Sequence, residues 1–428
     1  GVAMVTKLVA WMAQKKEQPT IKAVRRTLVM IFPFVLLGSF MQILAQSVFS
    51  QIGFLNSIFQ LSDKVPAFEK IYYFFTNLSF FTLGISALLA AYQVANYQAK
   101  YLHKDGAMAG LTGLVCFLIL VIRPLDGTGR LNFNWALLGT PGLLLGLLVG
   151  CLVGNLFNLL GKKTARQVER TDDVLARAFA ALPVITLALL LCLLFNLAVA
   201  FFNGQDAVTN FFAGMEAFAD NQDRVGTVVG LGIISNLLNW LGLSGPYNTI
   251  GTVYGDQKYL DNLNYALSHG SAVNVPYKYT VTTLYQSFGM FGGVGATLAL
   301  LIAISLVSNS HRALRVSRWS FLPVFFNVNS PLMIGLPLLF NPLYLLPFVL
   351  APCFNMLIAS LAIKWQLITV LTYPVPVGTP GVLVAYIGTN ASISSLVLGI
   401  VLLGIDVLLY IPFVKTADAV SCKLTGGI

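Results

Sequence analysis

Charged side chains divide this chain of 428 residues into long stretches that carry no charge at all. In the hydrocarbon core of a membrane a charge is expensive and the backbone must satisfy its own hydrogen bonds, so spans appear as uncharged stretches of roughly 20 residues. Only 10% of the residues are charged and 57% are hydrophobic, too little polar surface for a soluble fold. The sequence predicts an all-α polytopic membrane protein. Its uncharged stretches are 27–62, 71–99, 106–122, 131–161, 178–205, 225–255, 279–310, 319–363 and 365–405.

Lysine and arginine collect in short segments between these stretches, as they do in the cytoplasmic loops of membrane proteins. Residues 1–26 hold six basic side chains and one acidic one, so the N-terminus is expected in the cytoplasm. The segments 162–177 and 311–318 are also basic, whereas 206–224 carries four acidic residues and one arginine and is expected outside. The net charge of +10 is therefore assigned to loops beside the lipid bilayer, and nucleic-acid binding is not expected.

Three stretches inside the apolar regions are rich in helix breakers and polar side chains, and they predict broken backbone within the membrane. They are GLSGPYNTIG at 242–251, FNVNSPLMIGLPLLFNP at 326–342 and YPVPVGTPG at 373–381. Broken backbone at membrane depth is tolerated where protein or a polar cavity satisfies the freed groups, and transporters use such helix ends to hold substrates. For each stretch a short loop at the membrane surface is the alternative, and it carries the most weight for 373–381.

The side chains in and beside these stretches suit a neutral polyhydroxylated ligand. A sugar needs neutral hydrogen-bonding groups together with aromatic faces on which its apolar side can lie. For the aromatic residues, ordinary packing or anchoring at the membrane interface is an equally weighted alternative. The candidate substrate-binding residues are Ser244, Ser330, Asn329, Asn327, Trp240, Tyr247, Asn248 and Tyr277.

Other kinds of site find little support. The five cysteines lack CxxC or CxxH spacing and the three histidines are scattered, so neither a metal site nor a cofactor is expected. No nucleophile–base pair is recognisable, so the chain is not expected to be an enzyme. Asp406 is the one acid in a late apolar region, where an ionisable group suggests a function. Its proximity to Lys415 leaves a structural position near the membrane interface as the alternative.

Six segments, in order, are similar to a known family. They are IKAVRRTLVMIFPFVLLGS (21–39), YLHKDGAMAGL (101–111), ARAFAALPV (176–184), FGGVGATLAL (291–300), SFLPVFFNVNSPLMIGLPLLFNPLYLLPFVLAP (320–352) and YPVPVGTPG (373–381). Their order and spacing resemble the membrane subunit IIC of phosphotransferase-system sugar transporters, in the lactose/cellobiose/diacetylchitobiose group. Each motif alone is weak, and their succession along nearly the whole chain makes the resemblance strong.

The resemblance implies a multi-pass homodimer of the bacterial plasma membrane, with about ten transmembrane helices and two re-entrant hairpins per protomer. An N-terminal interface domain with five spans, residues 1–205, would hold a C-terminal transport domain, residues 206–428. The transport domain would move as an elevator and carry a sugar, expected to be a β-linked disaccharide or glycoside. A separate IIB subunit would phosphorylate the sugar, with IIA as a further partner.

Two departures from the family pattern fall in the hairpins. The family has a histidine in a Gly-Ile-His-Gly pattern where this chain has Ser244, and a glutamate in an Asn-Glu-Pro pattern where it has Ser330. A serine can hydrogen-bond a sugar but cannot act as a carboxylate that polarises a hydroxyl nucleophile, a role worth about 10²–10⁴-fold in rate. The alternative is therefore a divergent IIC-fold protein uncoupled from phosphorylation, acting as a facilitator or as a receptor or regulatory membrane protein.

Overall fold

The computed structural model describes residues 18–123, 132–162, 171–201, 224–249 and 257–424, together with Asn210 and Gly214. Most of this part is helical, and its one β-sheet is a two-residue antiparallel pair, Ile122–Arg123 (β1) with Asn132–Phe133 (β2). The helices are α1 (Pro19–Ile43), α2 (Phe54–Phe59), α3 (Leu61–Lys64), α4 (Phe68–Phe80), α5 (Ser86–Tyr101), α6 (Gly106–Val121), α7 (Leu143–Leu160), α8 (Thr171–Phe201), α9 (Val225–Trp240), α10 (Pro246–Thr249), α11 (Gln257–His269), α12 (Thr297–Val307), α13 (His311–Phe325), α14 (Ser330–Gly335), α15 (Pro342–Lys364), α16 (Gly381–Gly388) and α17 (Ile393–Leu424). Shorter turns are the 3₁₀ helices Trp135–Leu138 and Thr140–Gly142 and the π-helices Leu44–Val48 and Thr282–Gly289.

Several of these helices have the length and apolar composition of membrane spans. Five reach that length in the described residues, namely Pro19–Val48, Thr140–Leu160, Val174–Phe201, Pro342–Lys364 and Ile393–Ser421. Three shorter apolar helices are Gly106–Val121, Val225–Trp240 and Thr297–Val307. The prediction of an all-α polytopic membrane protein is confirmed, and the number of about ten spans stays a prediction.

The first compact unit comprises residues 1–35 and 82–210, and its helices pack through small side chains. Helix α7 places Gly146, Gly150 and Gly154 at four-residue spacing along the face that packs on α5. A Cβ atom added at Gly150 would overlap the Val94 side chain and lie 2.6 Å from the carbonyl oxygen of Ala91. Small residues let helix backbones approach closely. In a membrane, lipid is as apolar as the side chains, so helices associate through such close packing rather than through the hydrophobic effect.

Polar side chains connect helices within the same unit. Gln98 is 2% exposed, and its amide nitrogen donates to the Thr20 hydroxyl at 3.0 Å and to the Asn155 amide oxygen at 2.9 Å. Arg177 forms an ion pair with Asp105 at 2.6 Å, and the Asp105 carboxylate also caps the start of α6. Part of the predicted basic segments, residues 1–17 and 163–170, lies outside the described residues.

The second compact unit comprises residues 36–81 and 211–428. In it the predicted third broken stretch pairs with the segment after the first span. The backbone N–H of Val377 donates to the Ile52 carbonyl at 2.8 Å, and Phe54 N–H donates to the Val377 carbonyl at 2.9 Å. These bonds form a parallel bridge between Gly53 and Val377, so the backbone of 373–381 is partnered by protein rather than left to lipid.

The two compact units divide the chain differently from the predicted domains 1–205 and 206–428. Residues 36–81 belong to the second unit because the bridge at Gly53 joins them to a segment more than three hundred residues later. Such a long-range pairing leaves no mark on the local sequence pattern. The assignment of dimerisation to one part and of transport to the other stays a prediction.

Candidate functional site

A glycine-rich break separates the π-helix Thr282–Gly289 from α12 in the second unit. This break, residues 289–295 with the sequence GMFGGVG, is called the glycine loop below. Gly292, Gly293 and Gly295 have φ angles of 77°, 100° and 79°, a left-handed backbone that side chains rarely adopt. A helix cannot continue through such residues, so their N–H and C=O groups need other partners.

Two predicted site residues supply those partners. Asn327, itself at a φ of 64°, accepts a hydrogen bond from Gly292 N–H on its Oδ1 at 3.0 Å. Asn329 donates from Nδ2 to the Val294 carbonyl at 2.9 Å. The predicted broken stretch 326–342 and the glycine loop therefore hold each other through side-chain amides. Both asparagines are half-buried, so part of each remains accessible.

Ser330 begins the short helix α14 immediately after Asn329 and is also half-buried. The close approach on its N-terminal side depends on Gly293, because an added Cβ there would lie 2.8 Å from Asn329 Cγ. Asn327, Asn329 and Ser330 thus form one polar group at a break in the helical backbone.

The third predicted stretch reaches the same group. Asn327 Nδ2 donates to the Thr379 carbonyl at 3.3 Å. A Cβ at Gly381, the first residue of α16, would lie 2.8 Å from the Met290 carbonyl oxygen and would overlap the Asn327 amide oxygen. Asn327 therefore joins two of the three predicted broken stretches to the glycine loop.

Trp240, which ends α9 just before the first predicted stretch, contacts the end of the second stretch. The indole Nε1–H of Trp240 donates to the Asn341 carbonyl at 3.3 Å, and the Phe340 N–H donates to the Trp240 carbonyl at 3.3 Å. Ser244 lies half-buried after Trp240, next to Gly245, which packs directly on Ser235 of α9. That Ser244 and Ser330 face each other across a cavity stays a prediction.

The two tyrosines among the candidates have partners outside the asparagine group. Tyr247 is 4% exposed, donates its hydroxyl to the Val228 carbonyl at 2.9 Å and packs on Tyr285 at 4.8 Å between ring centroids. Tyr277 is held through its backbone by Asn262 at 2.7 and 3.0 Å. The side chain of Asn248 lies outside the described residues.

Three further side chains bond to the glycine loop or to the residue before it, and sequence reasoning missed all three. Thr297 donates to the Gly292 carbonyl at 2.6 Å and Tyr410 donates to the Gly295 carbonyl at 2.6 Å. Asn355 donates to Phe288 at 3.0 Å. Four glycines within the seven residues 289–295 could have predicted a break, whereas isolated polar residues inside α15 and α17 form no pattern.

The chemistry of this region is that of neutral donors and acceptors. Amide and hydroxyl groups of Asn327, Asn329 and Ser330 lie beside backbone groups of the glycine loop, which suits hydrogen bonding to an uncharged, hydroxyl-rich ligand. Within the described part of the chain, no group of three or more His, Cys, Asp and Glu side chains could hold a metal ion.

The chain is similar to known proteins of one family. Residues 25–352 match the family model "Phosphotransferase system, EIIC". The oligo-beta-mannoside-specific EIIC component of Bacillus subtilis is 27% identical over 420 residues, covering 94% of this chain and 90% of that protein. The lactose-specific EIICB component of Staphylococcus aureus is 26% identical, covering 79% of this chain and 60% of that protein, so this chain spans about 60% of its length. The crystal structure of ChbC, the IIC component of an N,N'-diacetylchitobiose-specific system, covers 99% of this chain at 23% identity with a TM-score of 0.43.

Proposed function

This chain belongs to the phosphotransferase system EIIC family, a family of membrane sugar-translocation subunits, and we propose that it carries a β-linked disaccharide or glycoside. The family resemblance read from the sequence is confirmed. The sugar class is supported by relatives whose names specify oligo-β-mannosides and lactose.

One structural observation carries the proposed site. Asn327 and Asn329 meet the glycine loop next to Ser330, at a break in the backbone of an otherwise apolar helical unit. Half-buried amides at such a break can bind sugar hydroxyls on one side while they satisfy the loop on the other. The proposal includes Ser244, Trp240, Tyr247, Asn248 and Tyr277 as the remaining members of the site.

Members of this family work with IIB and IIA partners and a sugar substrate. For this chain we infer a homodimer in the bacterial plasma membrane, a cytoplasmic N-terminus and elevator-type movement of the transport domain. Phosphoryl transfer would be carried out by a IIB protein, so the chain itself would be a transport subunit rather than an enzyme.

Binding to purified protein tests the proposal. Radiolabelled cellobiose, lactose and β-1,4-mannobiose are titrated against the wild type and against Asn329→Ala. We expect at least one disaccharide to bind, and the variant to lose about tenfold in affinity, the equivalent of one good hydrogen bond at roughly 1.4 kcal/mol. Asn264→Ala, at an exposed position of α11, is the control and should bind like the wild type. Absence of binding across the panel would remove the proposed function.

The second candidate is a IIC-fold protein uncoupled from phosphorylation, and the serines at 244 and 330 favour it. Uptake into vesicles that contain this chain separates the two candidates. Sugar accumulated as its phosphate only when a phosphorylated IIB protein is present indicates a coupled transporter. Equilibration of free sugar without IIB indicates a facilitator, whereas binding without uptake indicates a receptor.

A further inference from the structure

Asp406 is an ionisable side chain inside α17, one of the helices long enough to span a membrane. It is 1% exposed, and Asn355 Nδ2 donates to its Oδ2 at 2.7 Å. No cationic side chain in the described ranges forms an ion pair with it. Burying an acidic side chain in a membrane span costs free energy, so the contacts of Asp406 are expected to have a function.

The hydrogen-bond partner of Asp406 also bonds to Phe288, the residue before the glycine loop. Asn355 is fully buried on α15, and its Nδ2 group donates both to Asp406 and to the carbonyl of Phe288 at 3.0 Å. Phe288 lies at the end of the π-helix, where carbonyls lose their helical donors. By accepting one of the two amide hydrogens, Asp406 keeps the nitrogen rather than the oxygen of Asn355 turned toward Phe288.

A second residue of the same helix face holds the other end of the loop. Tyr410 lies four residues after Asp406, which places both side chains on one face of α17. Its hydroxyl donates to the Gly295 carbonyl at 2.6 Å, and the side chain is fully buried. Helix α17 is therefore connected to Phe288, the residue before the loop, through Asn355, and to Gly295, the last residue of the loop, directly.

Between Phe288 and Gly295 lie the backbone groups of the loop that are hydrogen-bonded to residues of the candidate site. Gly292 N–H is bonded to Asn327 and the Val294 carbonyl to Asn329. A shift of the loop would therefore move or release the amides that are proposed to face the sugar.

We propose that Asp406 is a positioning residue of the sugar site, which acts through Asn355 on the glycine loop and never touches the ligand. The expected effect of Asp406 on sugar binding rests on the proposed function. Its expected effect on the loop rests on the hydrogen bonds alone. The carboxyl group is required as an acceptor for the Asn355 amide, so an uncharged acceptor of the same size should replace it.

Three variants of α17 test this role by titration with the radiolabelled disaccharide that the wild type binds among cellobiose, lactose and β-1,4-mannobiose. Asp406→Ala should raise the dissociation constant about tenfold, since a buried amide loses its acceptor. Asp406→Asn should stay within about threefold, because its amide oxygen can accept the same bond. Asp418→Ala is the matched control. Asp418 accepts from Ser308 and Asn309, away from the loop, so affinity should stay within about twofold.

Hydrogen–deuterium exchange without sugar separates this inference from the proposed function. In Asp406→Ala the amides of residues 289–295 should exchange about tenfold faster than in the wild type, as expected when a loop loses a buried bond. This readout stays decisive if no disaccharide binds. If Asp406→Ala does not fold, Asn355→Leu removes the amide through which Asp406 acts and should accelerate exchange of the same amides. Wild-type exchange in a folded Asp406→Ala or Asn355→Leu variant would overturn the proposal, as would an Asp406→Asn variant as impaired as the alanine.

Discussion

The two compact units use glycine in opposite ways. In the first unit Gly146, Gly150 and Gly154 lie inside the regular helix α7, where the missing side chain lets the backbone of α5 approach. In the second unit Gly292 and Gly293 lie in a break between two helices, and side chains bond both the N–H and the carbonyl of Gly292. The first use produces a close-packed helical scaffold, whereas the second produces polar groups at a break inside an apolar protein.

The difference explains why the candidate site lies in the second unit. A regular helix satisfies all its own hydrogen bonds and offers a ligand only side chains. A broken backbone requires amides and hydroxyls nearby, and those same groups can bind a neutral ligand. Asn327 and Asn329 are bonded to the glycine loop and remain half-buried, and they are the residues proposed to combine both tasks.

The largest expected effect is a stability loss in the first unit. Gly150→Val should destabilise the protein by about 3 kcal/mol, because the new side chain overlaps Val94 and meets the Ala91 backbone. Gly230→Val, in α9 of the second unit, is the control because an added Cβ there meets nothing within 4 Å. Thermal unfolding of the purified variants measures both. Equal melting temperatures would contradict the close packing of α5 and α7.

A charge placed in the second unit should have the next largest effect. Ser330→Glu is expected to destabilise the protein by about 2 kcal/mol, the scale for an unsatisfied buried polar group. Ser244→His in the same chain should recover part of this loss by supplying a partner. The coupling is read from a double-mutant cycle on thermal unfolding. Strictly additive effects would show that the two positions do not face each other.

A glycine with a positive φ should matter for sugar binding only where an added side chain would touch a residue of the site. Gly293→Ala places a Cβ 2.8 Å from Asn329 and should weaken disaccharide binding about tenfold, or roughly 1.4 kcal/mol. Gly270→Ala, at a φ of +65° with open space around it, suffers similar backbone strain but no contact. It should lose about 1 kcal/mol of stability and bind sugar normally. Reduced binding in both variants would point to strain rather than to Asn329.

The smallest expected effect concerns Tyr247. Tyr247→Phe removes the bond to the Val228 carbonyl and should cost about 1 kcal/mol of stability. The dissociation constant of the Tyr247→Phe variant for the disaccharide shows whether the tyrosine hydroxyl supports the packing of α9 or binds the sugar. A value within about twofold of the wild type indicates that the tyrosine supports α9, whereas a loss of about tenfold would assign its hydroxyl to the sugar.

Much of the second unit was predictable because glycine, proline and asparagine interrupt an apolar sequence visibly. The stretch 326–342 was predicted to be broken, and its asparagines do bond to a loop. The glycine loop itself carried an equally visible signal, four glycines in 289–295, but it contributed only to the family resemblance. Asn355 and Tyr410 were not predictable, since one polar side chain in an apolar helix has no periodicity to show where it points.

Composition and motif order were enough to assign the class of this protein. Its uncharged stretches predicted membrane helices, and the order of its motifs identified the EIIC family. Both conclusions were possible because composition and local spacing are properties of the chain alone. The packed fold was needed to show which residues hold the glycine loop and that residues 36–81 join the second unit. These features arise from hydrogen bonds between residues far apart in the chain, and a bond such as that between Asn355 and Asp406 exists only once the helices have packed.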